Sequence, residues 1–271
     1  MNRHKITRTV TLAAGIAAAA ALGQLLALGA LGGIGPLKFL RERRVEKHPG
    51  NGPEYAPEKL RTEPGSPLAG KRLLFLGSSV TYGSASLRTS MADYIGILDG
   101  CEIVKEAISG TTLADIGGQS YVARLKKVDK SQHFDAVICQ LSTNDATRSL
   151  PLGKISDSGE YDTATVAGAM EWIISWAKAV WNCPVYFYTG TRYESDAYQA
   201  MVDMLYALSE KWDIGIIDLW NDPEMTAVSR EKYALYMHDP IHPTQAGYLL
   251  WWTPKFRESL HRLPENGETV K

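Results

Sequence analysis

Ser79 stands directly after an apolar run, in the stretch LFLGSSVTYG. A serine hydroxyl is a poor nucleophile until a neighbouring base removes its proton. His242, in HDPIHPT near the C-terminal end, is such a base, because imidazole titrates near neutrality. Asp239 lies three residues earlier and reaches the other ring nitrogen within one tight turn. There it would fix the tautomer and stabilise the imidazolium. Pro240 and Pro243 stiffen that turn by limiting φ. A tetrahedral intermediate also needs donors aimed at its oxyanion. The Ser79 N–H, the Gly110 N–H in ISGTTLAD and the Asn144 amide in STNDA are available, and glycine admits close backbone approach. Together these groups point to acyl transfer from an ester. Each is weak alone, since hydroxyl-rich loops are usually turns and Asn-Asp after a strand is usually a cap. Their common placement is what carries the reading.

That placement depends on the elements between them. RLLFLG is a short apolar run bounded by glycine, the mark of a strand buried on both faces. CEIVKEAIS, AVICQLS, PVYFYTG and IGIIDLW follow as further strands. Helical spacing separates them: Met170, Ile173, Ile174, Ala177 and Val180 within 166–181, then Met201, Met204, Leu205 and Leu208 within 197–212. A last helix is expected over 245–260. Five strands alternating with helices predict an α/β fold with a parallel sheet covered on both faces. Ligands in such sheets bind beyond the carboxyl ends of the strands, where all five candidate residues fall.

The candidate residues also fall in blocks that resemble those of the SGNH (GDSL-type) hydrolases, in the same order. GSSVT matches the nucleophile block with Ser79, SGTT the glycine block with Gly110, STND the asparagine block with Asn144, and DPIH the acid–base block with Asp239 and His242. The resemblance spans about 71–262. It implies a flavodoxin-like three-layer α/β/α fold with a central five-stranded sheet. It also implies a serine esterase, lipase or deacylase mechanism that uses no metal or other cofactor. Ser78 stands where that family usually has Asp, and Ser142 where it often has Gly; neither position carries the nucleophile, the base or the oxyanion amide. The G-x-S-x-G elbow of α/β-hydrolases is absent, Thr81 occupying its last position.

The chain of 271 residues is 45% hydrophobic with a formal net charge of −1, which gives no sign of a nucleic-acid partner. No Gly-rich nucleotide motif follows the first strand. The three cysteines make neither a disulfide framework nor a zinc motif, and Cys139 reads as a packing residue. Residues 1–40 begin basic and then run without charge from Thr9 to Leu37, long enough for a transmembrane helix. A retained anchor fits that length; a cleaved signal is the alternative, with ALG at 27–29 as its small-residue site. Basic residues flank both ends, so the positive-inside rule and an export-type leader disagree on orientation. We expect an extracytoplasmic domain. Residues 41–70 mix Pro, Gly and charge and read as an extended, solvated linker, and 263–271 as a polar tail.

Several residues have quieter readings. His238 is a rival to His242, but it adjoins Asp239 directly and would point elsewhere. Asp145 is expected to cap a helix or brace the oxyanion loop, and Asp218 to pair at a strand end. Arg148–Thr163 is either a surface loop or a lid. Tyr82, Arg192 and Tyr193 lie on active-face loops; Trp172 and Trp176 read as core, while Trp251 and Trp252 have no assignment. The expected function is hydrolysis of an ester on a surface glycan, lipid or small metabolite by a membrane-anchored enzyme. An acyltransferase using the same site and a non-catalytic surface binding module are the alternatives.

Overall fold

The computed structural model describes residues 38–263. The chain divides into two compact units, 1–48 and 49–271. Of the first, the described part holds the helix Phe39–Glu46. The expected membrane span, Thr9 to Leu37, lies outside the described residues, as does almost all of the polar tail. Among the described residues no helix is long and apolar enough to cross a membrane.

The second unit is built on five strands: β1 (Arg72–Gly77), β2 (Glu102–Ala107), β3 (Ala136–Gln140), β4 (Val185–Tyr188) and β5 (Gly215–Ile217). All neighbours are parallel, in the order β2-β1-β3-β4-β5. Strand β1 explains its own unbroken apolar sequence. Leu74 and Leu76 face a core formed with the helices Tyr121–Leu125, Val166–Trp181 and Asp196–Trp212. Leu73 and Phe75 face an opposite core formed with the helices Met91–Asp99 and Thr253–Leu260. A strand buried on both faces has no polar side to show. The three-layer α/β/α architecture read from the sequence is the one observed.

Helix ends follow local chemistry. Thr165 and Ser195 each accept a hydrogen bond from a backbone N–H in the first turn of the long helices they precede. Asn182 and Asp213 end those helices in the left-handed region. The last helix departs from expectation. A π-turn, Tyr248–Trp252, interrupts it and places both unassigned tryptophans, with Trp252 fully buried against Tyr188, Tyr248 and Phe256.

Residues 49–70 are not an extended, solvated linker. Three short 3-10 turns run from Pro49 to Lys59. Leu68 is fully buried, the Tyr94 hydroxyl donates to the Tyr55 carbonyl, and the Ser66 hydroxyl donates to buried Asp99 at 2.6 Å. Composition misled here because this segment docks mainly through backbone and side-chain polar groups, which leave no apolar periodicity.

Strand order dictates where a site forms. The chain leaves β1, crosses to β2 on one side and returns to β3 on the other. The loops after β1 and β3 therefore diverge and open a crevice at their carboxyl ends.

Candidate active site

Ser79 opens a one-turn helix, Ser79–Tyr82, immediately beyond β1. Its own neighbour gives that helix no side-chain cap. The amide of Gln140, the last residue of β3, does so instead. Gln140 Oε1 accepts from the Ser78 N–H at 2.9 Å, from the Thr81 hydroxyl at 3.0 Å and, at longer range, from the Ser78 hydroxyl and the Thr81 N–H. These donors fix which end of the amide faces them, because a backbone N–H can only donate. Thr81 shares a second hydrogen bond of 2.6 Å with the Tyr188 hydroxyl at the end of β4. Tyr248, on the π-turn, donates to the Val80 carbonyl at 2.6 Å. The short helix bearing Ser79 is thus held from three sides. Ser78 takes part in this arrangement through its N–H and, at longer range, its hydroxyl.

The structure brings Ser79, His242 and Asp239 together. Ser79 Oγ lies 2.8 Å from His242 Nε2, and His242 Nδ1 lies 2.8 and 2.9 Å from the two Asp239 oxygens. The turn that carries the pair closes on itself. Met237 and Pro243 form an antiparallel bridge, and the His238 N–H donates to the His242 carbonyl at 2.9 Å. Asp239 Oδ1 also accepts from the Ile241 and His242 N–H groups at 3.0 and 2.9 Å. Burial alone would raise the Asp239 carboxyl. Hydrogen bonds from His238 and His242, and the positive charge of a protonated His242, overcome this and hold it well below the usual carboxylate range. His238 is a weaker partner of Asp239, at 3.4 Å.

Gly110 stands on the loop after β2, and Asn144 on the short helix Thr143–Thr147 that follows β3. Gly110 adopts φ 81°, the left-handed region, so glycine suits the turn. Its carbonyl accepts from Arg148 at 2.8 Å. One N–H of the Asn144 amide donates to the Thr111 carbonyl at 2.8 Å, and the amide has a second. Asp145 is buried and braces the two segments: its oxygens accept from the Leu113 and Ala114 N–H groups, both at 2.9 Å. Beneath them Arg124, also buried, donates to the carbonyls of Gly77 and Glu106 and to the Thr111 hydroxyl. That one guanidinium joins the carboxyl ends of β1 and β2 to the glycine loop.

A small cavity of about 10 Å³, room for one water-sized group, opens beyond the ends of β3 and β4. Val80, next to Ser79, and Ile241, next to His242, line it together with Leu141, Tyr188, Tyr193 and Tyr198. Of the active-face candidates, only Tyr193 lines this cavity; Arg192 is exposed and lies over the Trp220 ring, 5.7 Å from its centre. The segment 148–165 is fastened to the body. Its Ser156 N–H donates to buried Glu171 at 2.7 Å, the Asp115 N–H donates to the Thr163 carbonyl at 2.7 Å, and Leu152 and Ile155 pack on the core. Asp218 accepts from Thr189, Tyr206 and Trp220, as a strand-end partner should. Cys139 is fully buried, and burial pushes its thiol well above the ordinary range.

A hydroxyl, an imidazole and a held carboxylate stand in line at the switch point of a parallel sheet, an arrangement suited to nucleophilic acyl transfer. The sequence comparison gives the family. Residues 75–250 match the GDSL-like lipase/acylhydrolase family, and the chain belongs to it. Comparison with curated protein sequences finds no match. Among solved structures, a protein from Lactobacillus plantarum superposes with a TM-score of 0.61 at 21% identity, covering 71% of this chain and 97% of that one. A Bacteroides ovatus protein assigned as a GDSL-like lipase gives 0.53 at 16%, covering 70% and 97%. An acetyl xylan esterase gives 0.50 at 16%, covering 70% and 99%. These likenesses extend to the fold.

Proposed function

We propose that this protein hydrolyses short-chain carboxylic esters with Ser79 as nucleophile, His242 as base and Asp239 as the group that orients it. The supporting observation is the continuous Ser79–His242–Asp239 hydrogen-bond line. Ser79 Oγ attacks the ester carbonyl while His242 Nε2 takes its proton. Asp239 keeps the other imidazole proton on Nδ1 and stabilises the imidazolium that forms. The N–H groups of Ser79 and Gly110 and the Asn144 amide receive the oxyanion. Collapse expels the alcohol, which takes the proton from His242. Water, activated by the same imidazole, then attacks the acyl-enzyme and frees Ser79 and the acid.

The small size of the cavity beside Val80 and Ile241 supports our reading of a short acyl group such as acetyl. An O-acetylated glycan or lipid at a membrane surface is the proposed substrate class. The uncharged run from Thr9 to Leu37 supports a membrane anchor, and the basic, export-type start of the chain supports an extracytoplasmic catalytic unit.

The test uses the full chain in detergent with p-nitrophenyl acetate and a fluorophosphonate probe. Wild type is expected to turn over the ester and to label; Ser79→Ala is expected to do neither. Turnover or labelling that survives in Ser79→Ala would refute the assignment. A folded wild type inert to both reagents would favour a binding module.

A further inference from the structure

A segment upstream of the family-matched region binds two stretches that flank the site. Asn51 lies in the first 3-10 turn, 49–51, and is buried to 7% exposure. Its side-chain oxygen accepts from the Gln245 N–H at 2.8 Å, and its side-chain nitrogen donates to the Ala85 carbonyl at 2.9 Å. The two partners admit one amide orientation only, since one can only donate and the other only accept.

Those partners flank the two halves of the proposed machinery. Gln245 is the first residue of the helix that follows His242 and Pro243. Its N–H is one of the donors a helix start leaves without an internal acceptor. Thr244 caps the Gly247 N–H in the same turn, so Asn51 supplies what the local sequence does not. Ala85 follows Ser84, whose N–H donates to the Ser79 carbonyl at 2.9 Å. One side chain therefore ties the segment that carries the base to the loop that holds the nucleophile. The approach is close: a Cβ on Gly50 would sit 2.0 Å from the Leu235 carbonyl oxygen and 2.4 Å from the Thr244 hydroxyl. Gln245 adds a weaker link of its own, from its amide to the Thr89 hydroxyl at 3.3 Å.

We propose that Asn51 is a positioning residue of the active site, setting the separation of Ser79 and His242 from outside the hydrolase fold proper. The proposal rests on the hydrolase reading above. It makes the stretch 49–51 a working part of the enzyme, so whatever displaces that stretch lowers turnover.

The experiment compares full-length wild type, Asn51→Ala and Ser66→Ala in detergent, with kcat for p-nitrophenyl acetate expressed per site labelled by fluorophosphonate. Ser66→Ala is the control, because it loosens the same segment at an anchor remote from Asn51, the bond to Asp99. Asn51→Ala is expected to lose about tenfold in kcat at nearly constant KM, as small misplacements of reacting groups do. Ser66→Ala is expected to lower the melting temperature without lowering kcat per site. Equal kcat per site in Asn51→Ala and wild type would overturn the proposal, as would an equal loss in both variants. Should Asn51→Ala fail to fold, Asn51→Asp takes its place. It keeps the acceptor for Gln245 and loses the donor to Ala85, and undiminished kcat in it would overturn the proposal equally. A wild type without turnover or labelling would overturn the hydrolase reading, and this one with it.

Discussion

Gln140 offers the sharpest test of how the nucleophile is held. It is 1% exposed, and its oxygen serves donors from both ends of the Ser79 turn. Gln140→Met keeps the volume and the unbranched shape but removes that acceptor. The Thr81 hydroxyl retains Tyr188 as a partner, so its loss is small. The Ser78 N–H is left buried without its acceptor, which costs about 1–3 kcal/mol. Losing the cap on the Ser79 helix adds about 0.5–1 kcal/mol. A total of about 2.5 kcal/mol corresponds to a melting temperature about 5–10 °C lower for a domain of this size. The assay is a thermal melt paired with p-nitrophenyl acetate turnover, which should fall because the altered turn begins at Ser79. Gln140→Glu supplies the internal control. The Gln140 side-chain nitrogen has no hydrogen-bond partner, so a protonated carboxyl fits the same space and restores the acceptor. A buried carboxyl has a raised pKa, so the protein loses stability as pH rises through it. Gln140→Glu should therefore melt close to wild type near pH 5 and well below it near pH 8. A Gln140→Met protein that melts within about 2 °C of wild type would refute the reasoning.

Three further outcomes are expected. Asp239→Asn should lower kcat by on the order of 10³–10⁴, because an amide facing Nδ1 favours the wrong tautomer. The Asp239 carboxyl is held below its unfolded value, so its stabilisation is complete above about pH 4 and is lost as pH falls below that. Melts of Asp239→Asn should accordingly lose part of the acid-side slope, and an unchanged slope would count against the ion pair. A fragment starting at Lys71 should melt about 10 °C or more below one starting at Pro49. It lacks fully buried Leu68 and both Asn51 bonds, together about 3–5 kcal/mol; equal melting of the two fragments would contradict the docking of 49–70. Tyr193→Ala should raise the p-nitrophenyl butyrate to acetate ratio of kcat/KM by about tenfold, by enlarging the acyl cavity. A constant ratio would remove that cavity from the acyl assignment.

The strands and the two long helices were legible in the sequence because burial on both faces and helical periodicity both leave direct marks. The blocks with Ser79, Gly110 and Asn144 stand out in the sequence because each directly follows a strand, whereas Asp239 and His242 follow β5 only after two short helices. Their supports were less legible. Gln140 left one trace, a lone polar residue within the apolar run AVICQL. Arg124, Tyr248 and Asn51 left none, since each acts on backbone atoms of segments distant in sequence, and a carbonyl or N–H has no residue type to read. The docked stretch 49–70 was misread for the same reason. The π-turn was hidden because its side chains keep a nearly helical pattern.

The closed turn Met237–Pro243 constrains how the site can switch off. Acid and base share one loop fastened by its own bridge and by three bonds from Asp239, so they travel as a single rigid body. Ser79 rides on a different segment. Any breathing of the site is then motion along one coordinate, the Ser79–His242 gap, while the His242–Asp239 pair stays intact. An idle enzyme should keep the strongly deshielded imidazole proton of that pair in its NMR spectrum even when the serine has drifted out of reach.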